Sequence, residues 1–217
     1  MKRPKIGFFS LSCCGGCLMQ TLLEEESFIK LGEIVDIVQF RLIKDSIPET
    51  EIDIAVIEGS IGSKEDRAKA EEIRKAAKQV IALGACAIEG GVQSKEGFLP
   101  LRKAIKIDWD IRGCPVDAGE FLQKIAALLV GQDISQRELS VCSECREKEF
   151  PCLINRGSIC LGFLSYAGCG AACPSKGTWC LGCRGFMKES NKGMANEISG
   201  KNISHLMDFF GEEDGRD

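Results

Sequence analysis

The chain has 217 residues, 44% of them hydrophobic and 28% charged, with a formal net charge of −4 at pH 7. This length allows one or two domains with a hydrophobic core. The acidic balance argues against a nucleic-acid or anionic-membrane surface, and no apolar run approaches the roughly 20 residues that cross a bilayer. The N-terminal residues show no export signal, so we expect a cytoplasmic protein without direct membrane insertion.

Residues 5–131 alternate between strand and helix patterns. We predict strands at residues 6–11, 34–40, 53–57, 80–83 and 109–112. Continuous apolar strands that alternate with helices are typical of a parallel sheet covered on both faces. The predicted fold class is therefore α/β, with a doubly wound parallel sheet.

Three helices of this region have readable boundaries. The first is predicted from Gly16 to Gly32, with Leu18, Leu22 and Ile29 on its apolar face. The second follows Ser63, and Asp66 stands three residues later as in a capping box. The last is predicted to begin at Asp117 and to end at Gly131.

Cysteine is the unusual component, with 13 residues against a single histidine, His205. Reduced thiols at this density usually bind metal. A single histidine argues against zinc sites of the Cys/His type and against acid–base catalysis by histidine. The composition therefore favours sites made of thiolates alone.

Four cysteines follow predicted strands: Cys14 and Cys17 follow the first, Cys86 the fourth and Cys114 the fifth. Ligands of parallel sheets bind beyond the carboxyl ends of the strands, so we expect these thiols to meet at one edge. Four convergent thiolates suit one [4Fe–4S] cluster. The alternative is four small buried residues at strand ends, a role that cysteine often has.

Eight more cysteines lie within 42 residues: Cys142, Cys145, Cys152, Cys160, Cys169, Cys173, Cys180 and Cys183. This segment has few long apolar runs, so we expect bound metal to fold it. Two four-thiolate clusters match the count, and Cys173-Pro174 resembles a ferredoxin element. Two zinc sites of the ribbon type are the alternative.

The composition changes along the chain predict three regions. Residues 1–131 form the sheet domain with the first cluster, residues 132–190 a domain with two clusters, and residues 191–217 a C-terminal tail. The tail has an amphipathic patch at residues 203–210, which we expect to pack on this chain or a partner.

Three further residues have open interpretations. Cys13 is left over from three sets of four thiols, and we expect it to be structural. Glu58 follows the third strand, and is either a solvated or helix-capping carboxylate or one that acts near the cluster. His205 stands on an apolar segment and is predicted to be a packing residue. No phosphate loop, GxSxG or GxGxxG motif is present.

The motifs of the first cluster resemble those of the small subunit of nickel–iron hydrogenases. In this chain they are Cys14-Gly-Gly-Cys17, Gly84-Ala-Cys86-Ala and Gly113-Cys114-Pro115. Cys160-Leu-Gly-Phe and Cys180-Leu-Gly-Cys183-Arg-Gly are similar to the two-cluster tail of the cytoplasmic branch. Exported members carry a signal and a histidine ligand, whereas this chain has eight tail cysteines, as in the sulfhydrogenase delta and heterodisulfide-reductase-linked types.

The respiratory complex I relative binds its cluster with two adjacent cysteines, which Cys13-Cys14 mimics. The spacing of Cys14 and Cys17 and the ferredoxin-like tail favour the hydrogenase.

The resemblance implies a flavodoxin-like domain followed by a ferredoxin-like iron–sulfur domain. The nickel–iron site is then expected in a separate large subunit, and this chain conducts electrons through three [4Fe–4S] clusters to a flavin- or iron–sulfur-containing subunit. We assign Cys142, Cys145, Cys152 and Cys160 to the distal cluster and the last four cysteines to the medial one, with Cys160, Cys169 and Cys173 open to exchange.

Two other functions stay open from the sequence. One is an electron-transfer subunit of a related complex whose catalytic subunit is not a hydrogenase. The other is a zinc-stabilised interaction module without a redox role.

Overall fold

The computed structural model describes residues 3–40, 51–135 and 138–207. The chain divides into two compact units, residues 1–135 and residues 136–217. Within the described residues, every helix is too short or too polar to cross a membrane.

Unit 1 is built on a five-stranded parallel sheet. Its strands are β1 (Lys5–Ser10), β2 (Asp36–Phe40), β3 (Ile52–Glu58), β4 (Ala77–Leu83) and β5 (Trp109–Ile111). The spatial order is β2-β1-β3-β4-β5, which is the flavodoxin-like order of doubly wound sheets. The α/β prediction is confirmed.

Among the described residues, five helices accompany this sheet: α1 (Gly16–Thr21), α2 (Glu25–Ile34), α3 (Lys64–Ala76), α4 (Gly84–Glu89) and α5 (Ala118–Leu129). Residues alternate across β3, so Ile54 and Val56 pack in one hydrophobic cluster and Ala55 and Ile57 in another. The first cluster includes buried residues of α1, α2 and α5, and the second those of α3 and α4. Both faces of the sheet are covered.

The prediction of one helix from residue 16 to residue 32 is wrong. α1 ends at Thr21, and α2 begins after Glu24 and continues through Gly32 to Ile34. The break changes the rotational phase of the helix, so the apolar spacing counted from α1 does not extend into α2. Ile29 is consequently 65% exposed, and Phe28 and Leu31 are the buried residues.

The predicted N-terminal caps of the other two helices are present. Ser63 Oγ accepts the N–H of Asp66 at 3.0 Å, and Asp117 Oδ1 accepts the N–H of Glu120 at 2.8 Å. Two strand boundaries differ from the prediction by more than one residue. β2 begins two residues later, at Asp36, because α2 extends to Ile34, and β4 begins three residues earlier, directly after α3.

Unit 2 has little regular structure among its described residues. Its helices are α6 (Val141–Glu147), α7 (Ala195–Ser199) and α8 (Ser204–Met207), with 3₁₀ turns at Ile154–Arg156, Pro174–Lys176 and Lys192–Met194. The described part of unit 2 contains two small hydrophobic clusters. One contains Leu161, Leu164, Phe186, Ala195 and Ile203, and the other Val141, Cys160, Ala171 and Cys180.

The predicted amphipathic patch is described only up to Met207, and residues 208–210 lie outside the described part. Ile203 is fully buried in the unit's own hydrophobic cluster. His205 is exposed, so the prediction of a packing role for it is wrong.

Candidate iron–sulfur sites

The four cysteines that follow the strands of unit 1 line one cavity. Cys14 and Cys17 flank the turn from β1 into α1, Cys86 lies in α4, and Cys114 follows β5. The cavity has a volume of about 110 Å³. Parallel strands end at the same edge of the sheet, which is why thiols far apart in sequence meet here.

Glycines leave room for two of these thiols. A Cβ atom at Gly84 would lie 2.4 Å from Cys17 Sγ, and one at Gly91 would lie 2.8 Å from Cys86 Sγ. Both glycines have positive φ angles, 81° and 68°, which side chains rarely adopt. The Ala85 N–H also donates to the Gly113 carbonyl at 2.9 Å, which joins the segments of Cys86 and Cys114.

The environment of Cys17, Cys86 and Cys114 raises the pKa of each thiol and disfavours its ionisation in the protein alone. Burial raises the pKa of Cys17 to about 12. A hydrogen bond from the Val116 backbone opposes this, and the charges of Glu58 and of neighbouring thiolates raise the pKa further. Burial and the charges of Cys114 and Cys14 raise the pKa of Cys86 to about 11. A cationic iron centre would reverse this balance, because metal ligation favours the thiolate. The donor set thus suits an iron–sulfur cluster.

Glu58 supports the turn that carries Cys14 and Cys17. It ends β3, is 2% exposed, and accepts the Leu18 N–H at 3.0 Å and the Ser10 hydroxyl at 2.9 Å. Because α1 has no side-chain cap of its own, the carboxylate supplies a cap from a different strand. The solvated alternative for Glu58 is wrong, whereas the helix-capping one agrees with this geometry.

Cys13 lines the same cavity as the four thiols. Burial and the negative charge of Glu58 raise its pKa to about 12.

A buried ion pair near this site was missed from the sequence. Arg112 Nη1 donates to Glu89 Oε1 at 2.7 Å, and both side chains are less than 5% exposed. Glu89 ends α4, which carries Cys86, and Arg112 stands two residues before Cys114. In the sequence, the one sign of this ion pair is that each charged residue stands close to a cysteine motif.

Thiols of unit 2 gather around Cys142 and around Cys180, and Cys145 also lies near Cys169 of the second group. Burial raises the pKa of Cys142 to about 11, with further contributions from the charges of Cys160, Cys145 and Cys152. These are the four cysteines assigned to the distal cluster.

The second group surrounds Cys180. Its pKa is raised by burial and then by the charges of Cys160, Cys183 and Cys169. The Cys180 N–H also donates to Cys160 Sγ at 3.4 Å. Cys173 comes directly before the turn Pro174–Lys176. Cys160 therefore neighbours both groups, and the division of the eight thiols between two clusters stays a prediction.

Among the described residues, no three side chains of His, Cys, Asp or Glu converge closely enough to hold a single metal ion. A four-iron cluster differs from a single ion, because each thiolate binds a different iron of the cube.

Comparisons with known proteins identify the family. Residues 14–128 match the family of the NADH ubiquinone oxidoreductase 20 kDa subunit. Sulfhydrogenase 2 subunit delta of Pyrococcus furiosus is 31% identical, over 86% of this chain and 88% of that protein. The chain belongs to the hydrogenase small-subunit branch of this family. A subunit of the vhu-type F420-non-reducing hydrogenase of Methanocaldococcus jannaschii is 33% identical, over 86% of this chain and 83% of that protein. As a hydrogenase-type small subunit, the chain is a component of an oxidoreductase complex.

Solved structures agree with the fold. The actinobacterial-type NiFe-hydrogenase of Ralstonia eutropha H16 matches with a TM-score of 0.70 at 15% identity, over 96% of this chain and 88% of that chain. The [NiFeSe] hydrogenase of Desulfovibrio vulgaris Hildenborough matches with a TM-score of 0.64 at 17% identity, over 89% of this small subunit and 96% of that chain.

Proposed function

We propose that this small subunit relays electrons in a cytoplasmic [NiFe] hydrogenase. It would connect the nickel–iron site of a separate large subunit with a flavin- or iron–sulfur-containing partner subunit. The observation that carries the proposal is the meeting of four thiols from three segments of unit 1 around one cavity. The relatives named above, which are hydrogenase subunits, support it.

Twelve cysteines are assigned as ligands of three [4Fe–4S] clusters. Cys14, Cys17, Cys86 and Cys114 would hold the proximal cluster, and the eight cysteines of unit 2 the medial and distal clusters. When bound, such clusters accept and donate single electrons. The chain's own contribution is to hold the thiols apart around a cavity and to set their hydrogen bonds and solvent access.

The cavity of unit 1 supports a cluster over a zinc ion. Zinc binds its sulfur ligands at about 2.3 Å in a tetrahedron, which leaves no space at the centre beyond the ion itself. The thiols of unit 1 instead line about 110 Å³. Gly84 and Gly91 lie directly beside the sulfurs of Cys17 and Cys86, where any side chain would press on the sulfur.

Metal analysis of the anaerobically purified complex tests the proposal. We expect about twelve iron atoms per small subunit from three four-iron clusters, in addition to the iron and nickel of the large subunit and the iron of any iron–sulfur partner. Stoichiometric zinc without broad visible absorption would contradict the proposal and favour the zinc-stabilised module.

Substitution of neighbouring cysteines tests the assignment of the proximal cluster. Cys14→Ser is expected to remove about four iron atoms per chain and to uncouple hydrogen oxidation from external acceptors. Cys13→Ser is the matched control, and its iron content should equal that of the unsubstituted protein. Loss of a cluster in the Cys13 variant would instead favour the adjacent-cysteine arrangement.

A second candidate keeps the clusters but pairs the chain with a catalytic subunit that is not a hydrogenase. The match to the family of a NADH ubiquinone oxidoreductase subunit supports this second candidate, because that family is named for an enzyme other than a hydrogenase. Hydrogen-dependent dye reduction by the intact complex separates the two candidates. Iron-loaded complex without nickel and without this activity would favour the second.

A further inference from the structure

Glu144 connects the two cysteine groups of unit 2. It lies in α6 between Cys142 and Cys145, the thiols assigned to the distal cluster. Its side chain reaches the loop that contains Cys169, which is assigned to the medial cluster. Neither the cysteine pattern nor the resemblance singles out this glutamate.

The carboxylate of Glu144 binds three backbone N–H groups of this loop. Oε1 accepts from Gly168 at 2.8 Å and from Gly170 at 3.1 Å, and Oε2 accepts from Ala171 at 2.9 Å. Cys169 Sγ lies 3.8 Å from Oε2. The three N–H groups belong to the residues on either side of Cys169, so the carboxylate defines the path of the backbone at this thiol.

The loop has a backbone conformation that needs such support. Gly168 and Gly170 have φ angles of 122° and 62°, and Ala171 has a φ of 54°. A residue with a Cβ atom rarely adopts the left-handed region, because the Cβ approaches the following carbonyl oxygen, yet Ala171 does so while fully buried. Successive N–H groups in such turns form an anion-binding concavity, as found at many iron–sulfur sites. In this loop, the carboxylate of Glu144 occupies the concavity.

Cationic side chains hold the carbonyl groups of the same loop. Arg184 is 3% exposed, and its Nε–H donates to the Ala167 carbonyl at 2.9 Å. Lys148 Nζ donates to the Gly170 carbonyl at 2.9 Å. The loop is therefore held at its N–H groups by an anion and at its carbonyls by cations.

We propose that Glu144 is a positioning residue that fixes the Cys169 loop and makes the potential of the cluster bound by Cys169 more negative. Cluster potentials depend on net charge and on hydrogen bonds to the sulfurs. The N–H groups bonded to Glu144 are not available to the cluster, and its carboxylate adds negative charge beside a ligand. Both effects disfavour the reduced cluster.

The experiment compares Glu144→Gln with Glu147→Gln in the anaerobically purified complex. Both changes remove one negative charge from α6, but Glu147 is exposed and stands away from the loop contacts given above. Redox titration followed by electron paramagnetic resonance measures the potential of each cluster, and iron analysis measures the content. We expect Glu144→Gln to shift one cluster to a more positive potential, and Glu147→Gln to shift none. Loaded Glu144→Gln complex with unchanged potentials would overturn the proposal.

If Glu144→Gln does not assemble a full set of clusters, Glu144→Asp decides. The aspartate keeps the charge and both acceptor oxygens, so recovery of the iron content and of the original potential supports the proposal. Equal loss of iron in both variants would overturn the proposal, because the carboxylate that the aspartate keeps would then give no support to the Cys169 loop. The proposal rests on the proposed function, since it needs clusters in unit 2. Iron analysis of the unsubstituted complex tests that function separately.

Discussion

The two units hold their cysteines in different ways. In unit 1 the thiols lie at the edge of a sheet, and among its described residues the buried members of the two hydrophobic clusters include no cysteine. In unit 2, Cys160 and Cys180 are themselves members of a buried cluster with Val141 and Ala171. The core of the first unit therefore consists of residues other than the candidate ligands, with Cys17 packed against it, whereas in the second unit two candidate ligands are themselves core residues. Metal binding and folding should be separable in unit 1 and coupled in unit 2.

Both units use a glutamate to hold the backbone next to a cysteine. Glu58 accepts the Leu18 N–H next to Cys17, and Glu144 accepts three N–H groups around Cys169. Glu58 is positioned by a strand of the sheet, whereas Glu144 is positioned by the short helix that carries two thiols of its own. In unit 2 the supporting residue and the ligands thus depend on each other.

Removal of the clusters is expected to produce the largest difference in stability between the two units. Metal–thiolate binding supplies on the order of 10 kcal/mol to small metal-folded domains. Chelation should therefore unfold unit 2 and leave the sheet of unit 1 intact. Hydrogen exchange followed by mass spectrometry measures each unit, with the cluster-loaded protein as the control. Retained protection across residues 138–207 would show that unit 2 does not need its metal.

Gly84→Ala should remove the proximal cluster without unfolding the sheet. The new Cβ would lie 2.4 Å from Cys17 Sγ at a φ of 81°. Gly97→Ala is the matched control, because its φ is 84° and no atom lies within 4 Å of the added Cβ. Both changes should cost about 1–2 kcal/mol for the backbone conformation, measured by urea unfolding. Only Gly84→Ala should also lose about four iron atoms per chain.

Equal iron content in the two glycine variants would mean that Cys17 can move without loss of the cluster.

Glu58→Gln should destabilise unit 1 by about 1–3 kcal/mol, because the amide has one acceptor oxygen and leaves a buried donor without its partner. Glu71→Gln, an exposed change in α3, is the control and should have little effect. Urea unfolding of the cluster-free protein measures the difference. Equal stability of the two variants would argue against a capping role for Glu58.

The smallest expected effect is the change with pH in the free energy of unfolding of cluster-free unit 1. The folded pKa values of Cys17 and Cys86 are raised to about 12 and about 11. Unfolded thiols ionise near pH 8.5, so the unfolded state loses protons first. The stability that these thiols contribute is complete below that pH and decreases as the pH rises toward the folded values.

Urea unfolding at pH 8 and pH 10 measures this change, and Cys17→Ala should reduce it. A free energy of unfolding that rises with pH would contradict the assigned direction.

Much of unit 1 could be read from the chain alone, because its signals are local. Ser63 and Asp117 mark helix starts by their own side-chain bonds, and the apolar runs of β1, β3 and β4 identify buried strands. The positions of Cys14, Cys86 and Cys114 after predicted strands placed them at one edge through a general property of parallel sheets. The phase change between α1 and α2 was not readable, because it depends on a short break without glycine or proline.

The supporting groups required the tertiary structure. Glu58 is 40 residues from the N–H that it accepts, Glu89 is 23 residues from Arg112, and Glu144 is 24 to 27 residues from the N–H groups that it binds. A carboxylate has the same sequence signal whether it faces solvent or an N–H group across the fold. The residues themselves determined which atoms could bind iron, since thiols outnumber every other soft ligand in this chain. Only the folded backbone decided which thiols share a cavity and which charges lie beside them, because both depend on contacts between distant segments.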